Sequence, residues 1–242
     1  HPVDRRQRQM CIRDSNMAMF DRVISLWKSE DLLSQAWEES FEMMVLSNEM
    51  FSASIRYLRR GEKIKTLKNL KKRDREINEF QKSVRKKVVT HFSISQNVED
   101  FPSGLVLLNI VVDVERLGDY TKNILDLAIH YPDPLVSEDC LKSLKGIEND
   151  TLSRFTDTLT AIEQQDEKLA KKLLKSYRKS FSNISDKIVN DGISGKQEYK
   201  DQKEAASVTL YARYLKRVGG HLKNITTTML NPYEEIGYRP SK

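Results

Sequence analysis

One segment of this chain occurs twice. Val112 to Ile124 reads Val-Asp-Val-Glu-Arg-Leu-Gly-Asp-Tyr-Thr-Lys-Asn-Ile, and an altered copy, Tyr-Leu-Lys-Arg-Val-Gly-Gly-His-Leu-Lys-Asn-Ile, spans Tyr214 to Ile225. Glu115 and Lys216 are 101 residues apart, and so are Ile124 and Ile225. Arg, Gly, Lys, Asn and Ile recur in place, whereas the acids Glu115 and Asp119 become Lys216 and Gly220. Self-similarity at a fixed offset marks a duplicated structural unit. Two halves of one design are therefore expected, only one of which keeps the acids.

The pattern around the repeat is helical. Ile110, Val114, Leu117, Thr121, Ile124 and Ala128 recur at steps of three and four, and adding 101 to each gives Tyr211, Leu215, Val218, Leu222, Ile225 and Met229. Such spacing places one apolar stripe on each helix. Upstream, Leu33, Trp37, Phe41, Met44, Phe51, Ile55 and Leu58 predict a helix to about Arg60, with Ser29-Glu30-Asp31 at its start and Gly61 at its end. Asn48 lies on that stripe, as a water-bridged core amide or a polar neighbour of a site. Ile64, Leu67, Leu70, Ile77, Phe80, Val84 and Val88 predict a second helix from Glu62 to about Phe92, and a third runs to about Tyr131.

Pro132 and Pro134 interrupt the chain there. A second series follows, with Leu144 to Ile162 on one helix and Leu173, Tyr177, Phe181, Ile184 and Ile188 on the next. The last helix extends from about Gln197 to Leu230. The expectation is an all-α fold of two tandem antiparallel three-helix bundles related by a pseudo-twofold repeat, over residues 17–131 and 135–231, with a tail at 232–242. His1 to Asn16 shows no apolar period and reads as a translated sequencing-adapter end, hence a non-native extension; the alternative is a basic disordered arm. Phe20, Val23, Ile24 and Trp27 suggest a short amphipathic piece before the first helix.

The chemistry concentrates on acids. Glu115 and Asp119, four apart, share a helix face, where two like charges repel unless water or a cation relieves them. Asp74 interrupts the second helix's apolar stripe, and a carboxylate facing inward requires a partner. A salt bridge to a neighbouring Lys or Arg meets that need, and so does a metal ion held by oxygen ligands. Asn78 lies one turn beyond Asp74.

The segment Glu115-Arg116-Leu117-Gly118-Asp119-Tyr120-Thr121-Lys122-Asn123-Ile124 resembles the signature of the PhoU family of phosphate-uptake regulators, in which an acid is followed four residues later by Asp. Asp74-Arg75-Glu76-Ile77-Asn78-Glu79 resembles the family's second acidic motif, with Asn78 where Asp is frequent. The likeness extends from Leu32 to Leu230. It implies a metal site formed by Asp74, Asn78, Glu115 and Asp119, holding a divalent or ferric ion (Fe, Mn, Mg or Zn) in the first bundle only. It further implies a cytoplasmic adaptor that restrains phosphate import by contacting a phosphate transporter, a histidine kinase, or both; a homodimer is possible. In the second half, matching Ile77 with Phe181 sets Arg178 opposite Asp74 and Ser182 opposite Asn78. Tyr120 replaces the family's usual His, while His221 holds the corresponding slot of the second half.

Charge adds a second surface. Between Arg59 and Lys87 thirteen basic residues face four acids, in a chain whose net charge is +6. This stretch suits an anionic membrane surface or an acidic partner. No nucleic-acid-binding module or stacking aromatic set accompanies it, so nucleic acid is not an expected partner. No segment reaches the ~20 apolar residues of a membrane-spanning helix, and the two cysteines, Cys11 and Cys140, build no disulfide framework. Catalysis is not expected: the chain has no nucleophile with a partnered base, no glycine-rich phosphate loop and no Glu-x-x-His pair. The one enzymatic alternative is a metal-assisted reaction at Glu115 and Asp119.

Overall fold

The computed structural model describes residues 31–95, 97–131, 135 and 138–238, and these are helical with no strand among them. The expectations at His1 to Asn16, Phe20 to Trp27, Ser29, Glu30, Pro132 and Pro134 lie outside the described residues, as does the end of the tail.

The first half begins with α1 (Leu32–Arg60). Asp31 caps it by accepting a hydrogen bond from the Ser34 amide at 2.8 Å, and Gly61, at φ 72°, stops it. Its expected stripe is buried, apart from the half-buried Phe41. Met43, Leu46 and Met50 widen the buried face. Ser40, Ser47 and Ser54 let neighbouring helices approach closely; each hydroxyl donates to a carbonyl of the preceding turn. Asn48 is half-buried, and its Oδ1 has no hydrogen-bond partner among the described residues.

The second helix differs from expectation. It is two helices, α2 (Ile64–Lys72) and α3 (Asp74–Ile94). At the junction the Arg73 amide donates to Leu70 O and the Glu76 amide to Arg73 O, both three residues back, so the chain tightens locally into a 3₁₀-like step. Neither glycine nor proline marks the break. Asp74 thereby becomes the first residue of α3, where its negative charge suits the helix dipole. Ile64 is half exposed rather than buried.

A short 3₁₀ turn (Val98–Asp100) leads into α4 (Phe101–His130), with Pro102 in its first turn, where no helical N–H is lost. All six stripe residues of α4, and all six at the +101 positions, are buried.

The second half comprises α5 (Glu138–Gln164), α6 (Glu167–Ser176), α7 (Asn183–Ile193) and α8 (Gln202–Thr227). Between α6 and α7, Tyr177–Ser182 is wound as a π-helix. Ile184, expected in the core, is turned outward there. α8 starts later than its apolar period suggests, because Asp201 accepts from the Glu204 amide and caps it.

The halves share one continuous core. Phe51 of α1 meets Phe155 of α5 with ring centroids 5.7 Å apart. At the same junction Arg59 Nε donates to Glu148 Oε2 at 2.8 Å, and the wholly buried Tyr211 hydroxyl donates to that oxygen at 2.6 Å. Burial and the adjacent carboxylate push the Tyr211 phenol well above its ordinary value. Beyond it, α4 and α8 pack against each other in a seam that obeys the repeat. His221 Nδ1 lies 2.7 Å from Asp113 Oδ1, and Asn224 donates to the same oxygen at 3.2 Å. Adding 101 to Asp113 gives Tyr214, and Tyr120 plus 101 gives His221. The mate of the Asp113–His221 contact is thus Tyr120–Tyr214, whose rings lie 6.1 Å apart.

Candidate functional site

Three of the four expected site residues converge where α3 crosses α4. Gly118 makes the crossing close: a Cβ there would stand 3.0 Å from Ile77 Cδ1 and 3.1 Å from Asp74 Oδ1. Asp74 is 7% exposed and rests against the backbone of α4. Asn78 donates to Asp74 Oδ2 at 3.3 Å.

The decisive neighbour was not among the sequence candidates. Lys122 Nζ lies 2.8 Å from Asp74 Oδ2 and 2.8 Å from Asp119 Oδ1, bridging the two helices. The salt-bridge partner that the inward position of Asp74 calls for is thus a lysine of the facing helix. Arg116 Nη1 donates to the other Asp119 oxygen at 3.0 Å, and its Nε is 3.7 Å from Glu115 Oε2. Glu115 therefore joins the group through Arg116. Alongside, Lys71 holds both oxygens of Asp126 at 2.6 and 2.7 Å, and a groove of about 460 Å³ opens over Arg116, Asp119, Lys122 and Asn123.

The electrostatics follow from this packing. Burial alone would lower the Lys122 ammonium, but hydrogen bonds to Asp119 and Asp74 outweigh it and raise the group above its ordinary value. Glu115 is raised by burial first and by Asp119 second, against the opposing pull of Arg116 and Lys122.

A metal ion does not fit this arrangement. The place between Asp74 and Asp119 where a shared cation would stand is filled by an ammonium, and a metal would require their oxygens to close to ~2.0–2.6 Å around a new centre. Among the described residues no group of three or more His, Cys, Asp or Glu side chains is arranged to hold one.

The chain matches the PhoU domain twice, over residues 41–128 and 144–229, once for each half. The chain belongs to the PhoU family. A curated relative, the phosphate-specific transport system accessory protein PhoU homolog 1 of Thermotoga maritima, is 29% identical over 134 residues. That match covers 55% of this chain and 56% of the relative, so it spans little more than half of either. The crystal structure of PhoU from Pseudomonas aeruginosa superposes with a TM-score of 0.73 at 17% identity, covering 82% of this chain and 95% of that one, a likeness of fold.

The second PhoU repeat corrects one sequence correspondence. Gly219 abuts Phe181 as Gly118 abuts Ile77, so those pairs do match. Arg178, however, does not take the place of Asp74. It is exposed, and Tyr177 lies inward instead, its hydroxyl 3.4 Å from where a Gly220 Cβ would be. The π-wound turn explains the shift, since it carries more residues per turn than an α-helix and slides everything before Phe181 out of register. Lys223, the mate of Lys122, lies 5.9 Å from the centre of the Tyr177 ring and donates to Gly237 O. Lys216, where Glu115 would be, is paired with Asp186.

The basic stretch is also more heavily paired than its sequence suggests. Arg59 is bound to Glu148, Lys71 to Asp126, Lys87 to Glu39, and Arg73 contacts Glu49 and Glu76. Lys65, Lys68 and Lys72 of α2 are exposed beside the half-exposed Ile64.

Proposed function

We propose that the protein is a non-catalytic regulator of phosphate uptake, acting in the cytoplasm by binding a phosphate transporter, a histidine kinase, or both, and restraining import when phosphate is sufficient. The observation that carries this reading is the pair of PhoU domain matches, one on each half, together with the accessory role named for the Thermotoga maritima relative. No described helix is long and apolar enough to cross a membrane, which accords with a partner that carries the membrane-spanning part. The test is uptake of radiolabelled phosphate by the parent organism with and without this gene. Uptake in the deletion strain should stay high when external phosphate is abundant, and restoring the gene should bring it down. Identical uptake in both strains at every phosphate level would reject the reading.

A second feature favours a peripheral position. The exposed lysines of α2, with Ile64 among them, form a basic face with an apolar contact point, suited to an anionic lipid surface or an acidic segment of a transporter.

A further inference from the structure

We propose that Lys122 is the resident cation of the acidic groove, standing where a metal ion would otherwise bind, so that the first half closes over its carboxylates without metal. Lys122 Nζ is 2.8 Å from one oxygen of Asp74 and 2.8 Å from one oxygen of Asp119, residues that belong to different helices. A single point charge between two carboxylates on facing helices does what a bridging ion does: it cancels their repulsion and holds α3 against α4.

Three further observations support the assignment. Asp74 is the most buried acid of the group, and among the described residues the cation that reaches it is Lys122, at the same Oδ2 that accepts from Asn78. Arg116 donates to the remaining Asp119 oxygen from the same helix, so on the groove side too this carboxylate is met by a cation of the protein. In the second half, where the acids are gone, the lysine of the repeat, Lys223, takes other contacts: it donates to Gly237 O and lies 5.9 Å from the centre of the Tyr177 ring, so the bridging place of Lys122 goes with the carboxylates.

A metal entering the first site must therefore displace a charged side chain already held by two carboxylates. The inference concerns this groove alone and does not depend on the proposed regulatory function. The probes are Mn²⁺ and Zn²⁺, titrated calorimetrically into the full chain after chelator treatment and dialysis. Lys122→Met should bind one of them at least about tenfold more tightly than the parent protein, and Asp119→Asn in the Lys122→Met background should remove the gain. Lys122→Arg, which keeps the cation, should bind no more tightly than the parent. Elemental analysis of the protein purified without chelator should find well under one metal ion per chain. One tightly held ion per chain in the parent that is lost on Asp119→Asn would overturn the assignment, as would a folded Lys122→Met protein with no gain in affinity. If Lys122→Met does not fold, Lys122→Arg and the elemental analysis still decide between the two outcomes.

Discussion

Tyr120 and His221, which hold the same position in the two repeats, stack on each other at the seam between α4 and α8 with ring centroids 5.7 Å apart. A local twofold axis thus passes close to both side chains, and interactions made on one side of it have a mate on the other. Arg217 donates to the Tyr120 hydroxyl at 2.9 Å, so the contact also has a polar anchor. The tyrosine that replaces the family's usual His in the first half and the His that the second half keeps are partners in space.

The junction at Glu148 should be a strong point of the fold. Glu148→Ala would leave the largely buried Arg59 guanidinium without its carboxylate, beside Leu135 O and the Tyr211 ring, and removal of one partner of a buried pair typically costs about 3–5 kcal/mol. Tyr211→Phe removes one hydrogen bond to the same carboxylate and should cost about 1.5–3 kcal/mol. Urea denaturation followed by circular dichroism measures both; equal stability of the Glu148→Ala protein and the parent would contradict the role assigned to the pair.

The two repeat glycines should respond differently to alanine. A Cβ at Gly219 would stand 2.2 Å from Phe181 Cε1, against a ring buried in the core, and overpacking of this kind costs about 1–3 kcal/mol. At Gly118 the nearest atoms are ends of the Ile77 and Asp74 side chains at 3.0 and 3.1 Å, which can shift. A helix-propensity gain of about 1 kcal/mol over glycine offsets that strain. Gly219→Ala should therefore lower the urea midpoint clearly while Gly118→Ala leaves it nearly unchanged.

Glu115 supplies a pH dependence. Its folded carboxyl is raised above the ordinary value of 4.5 by burial and by Asp119, so the native state holds this proton more tightly than the unfolded chain. Ionisation consequently costs stability above the folded value, and the cost fades as pH falls through that value towards 4.5. Glu115→Gln should raise the thermal midpoint at pH 7, by an amount corresponding to less than about 1 kcal/mol because the site is largely solvated. The advantage should vanish near pH 4. A Glu115→Gln protein less stable than the parent at pH 7 would show that the Arg116 contact outweighs the crowding.

The basic face of α2 can be tested without knowledge of its partner. Replacing Lys65, Lys68 and Lys72 by Gln should reduce co-sedimentation with phosphatidylglycerol vesicles, and added salt should reduce that of the parent protein. Substituting Lys71 or Arg73 is a poorer choice, since each is already paired within the fold. Absence of salt-dependent sedimentation in the parent would dismiss the membrane surface and leave a protein partner.

Much of the architecture is legible in apolar spacing. The stripes of α1, α4 and α8 lie in the core because burial of a helix face leaves a period of three and four, and the offset of 101 links the last two. Winding errors leave no such trace. The tight step at Arg73 and the π-turn at Tyr177–Ser182 are flanked by sequence with ordinary helical spacing and lack glycine or proline, so the second helix of each half reads as continuous. For the acidic group, the inward position of Asp74 is visible because it breaks a stripe. Lys122 is harder to see: a lysine three residues after Asp119 has the spacing to pair with it, yet the same spacing occurs on solvated helix faces. What distinguishes it is the approach of α3 permitted by Gly118, a relation between helices rather than within one.

The seam has one more implication. In a dimer of identical chains, every interface position is encoded once and must tolerate its own copy across the axis. Here the two copies lie in one polypeptide and are free to diverge. An acid at position 113 faces histidine, while its mate at 214 is a tyrosine facing a tyrosine. Duplication within one chain releases this interface from self-complementarity, so its two sides carry different chemistry, an acid–imidazole contact on one and a pair of phenol rings on the other.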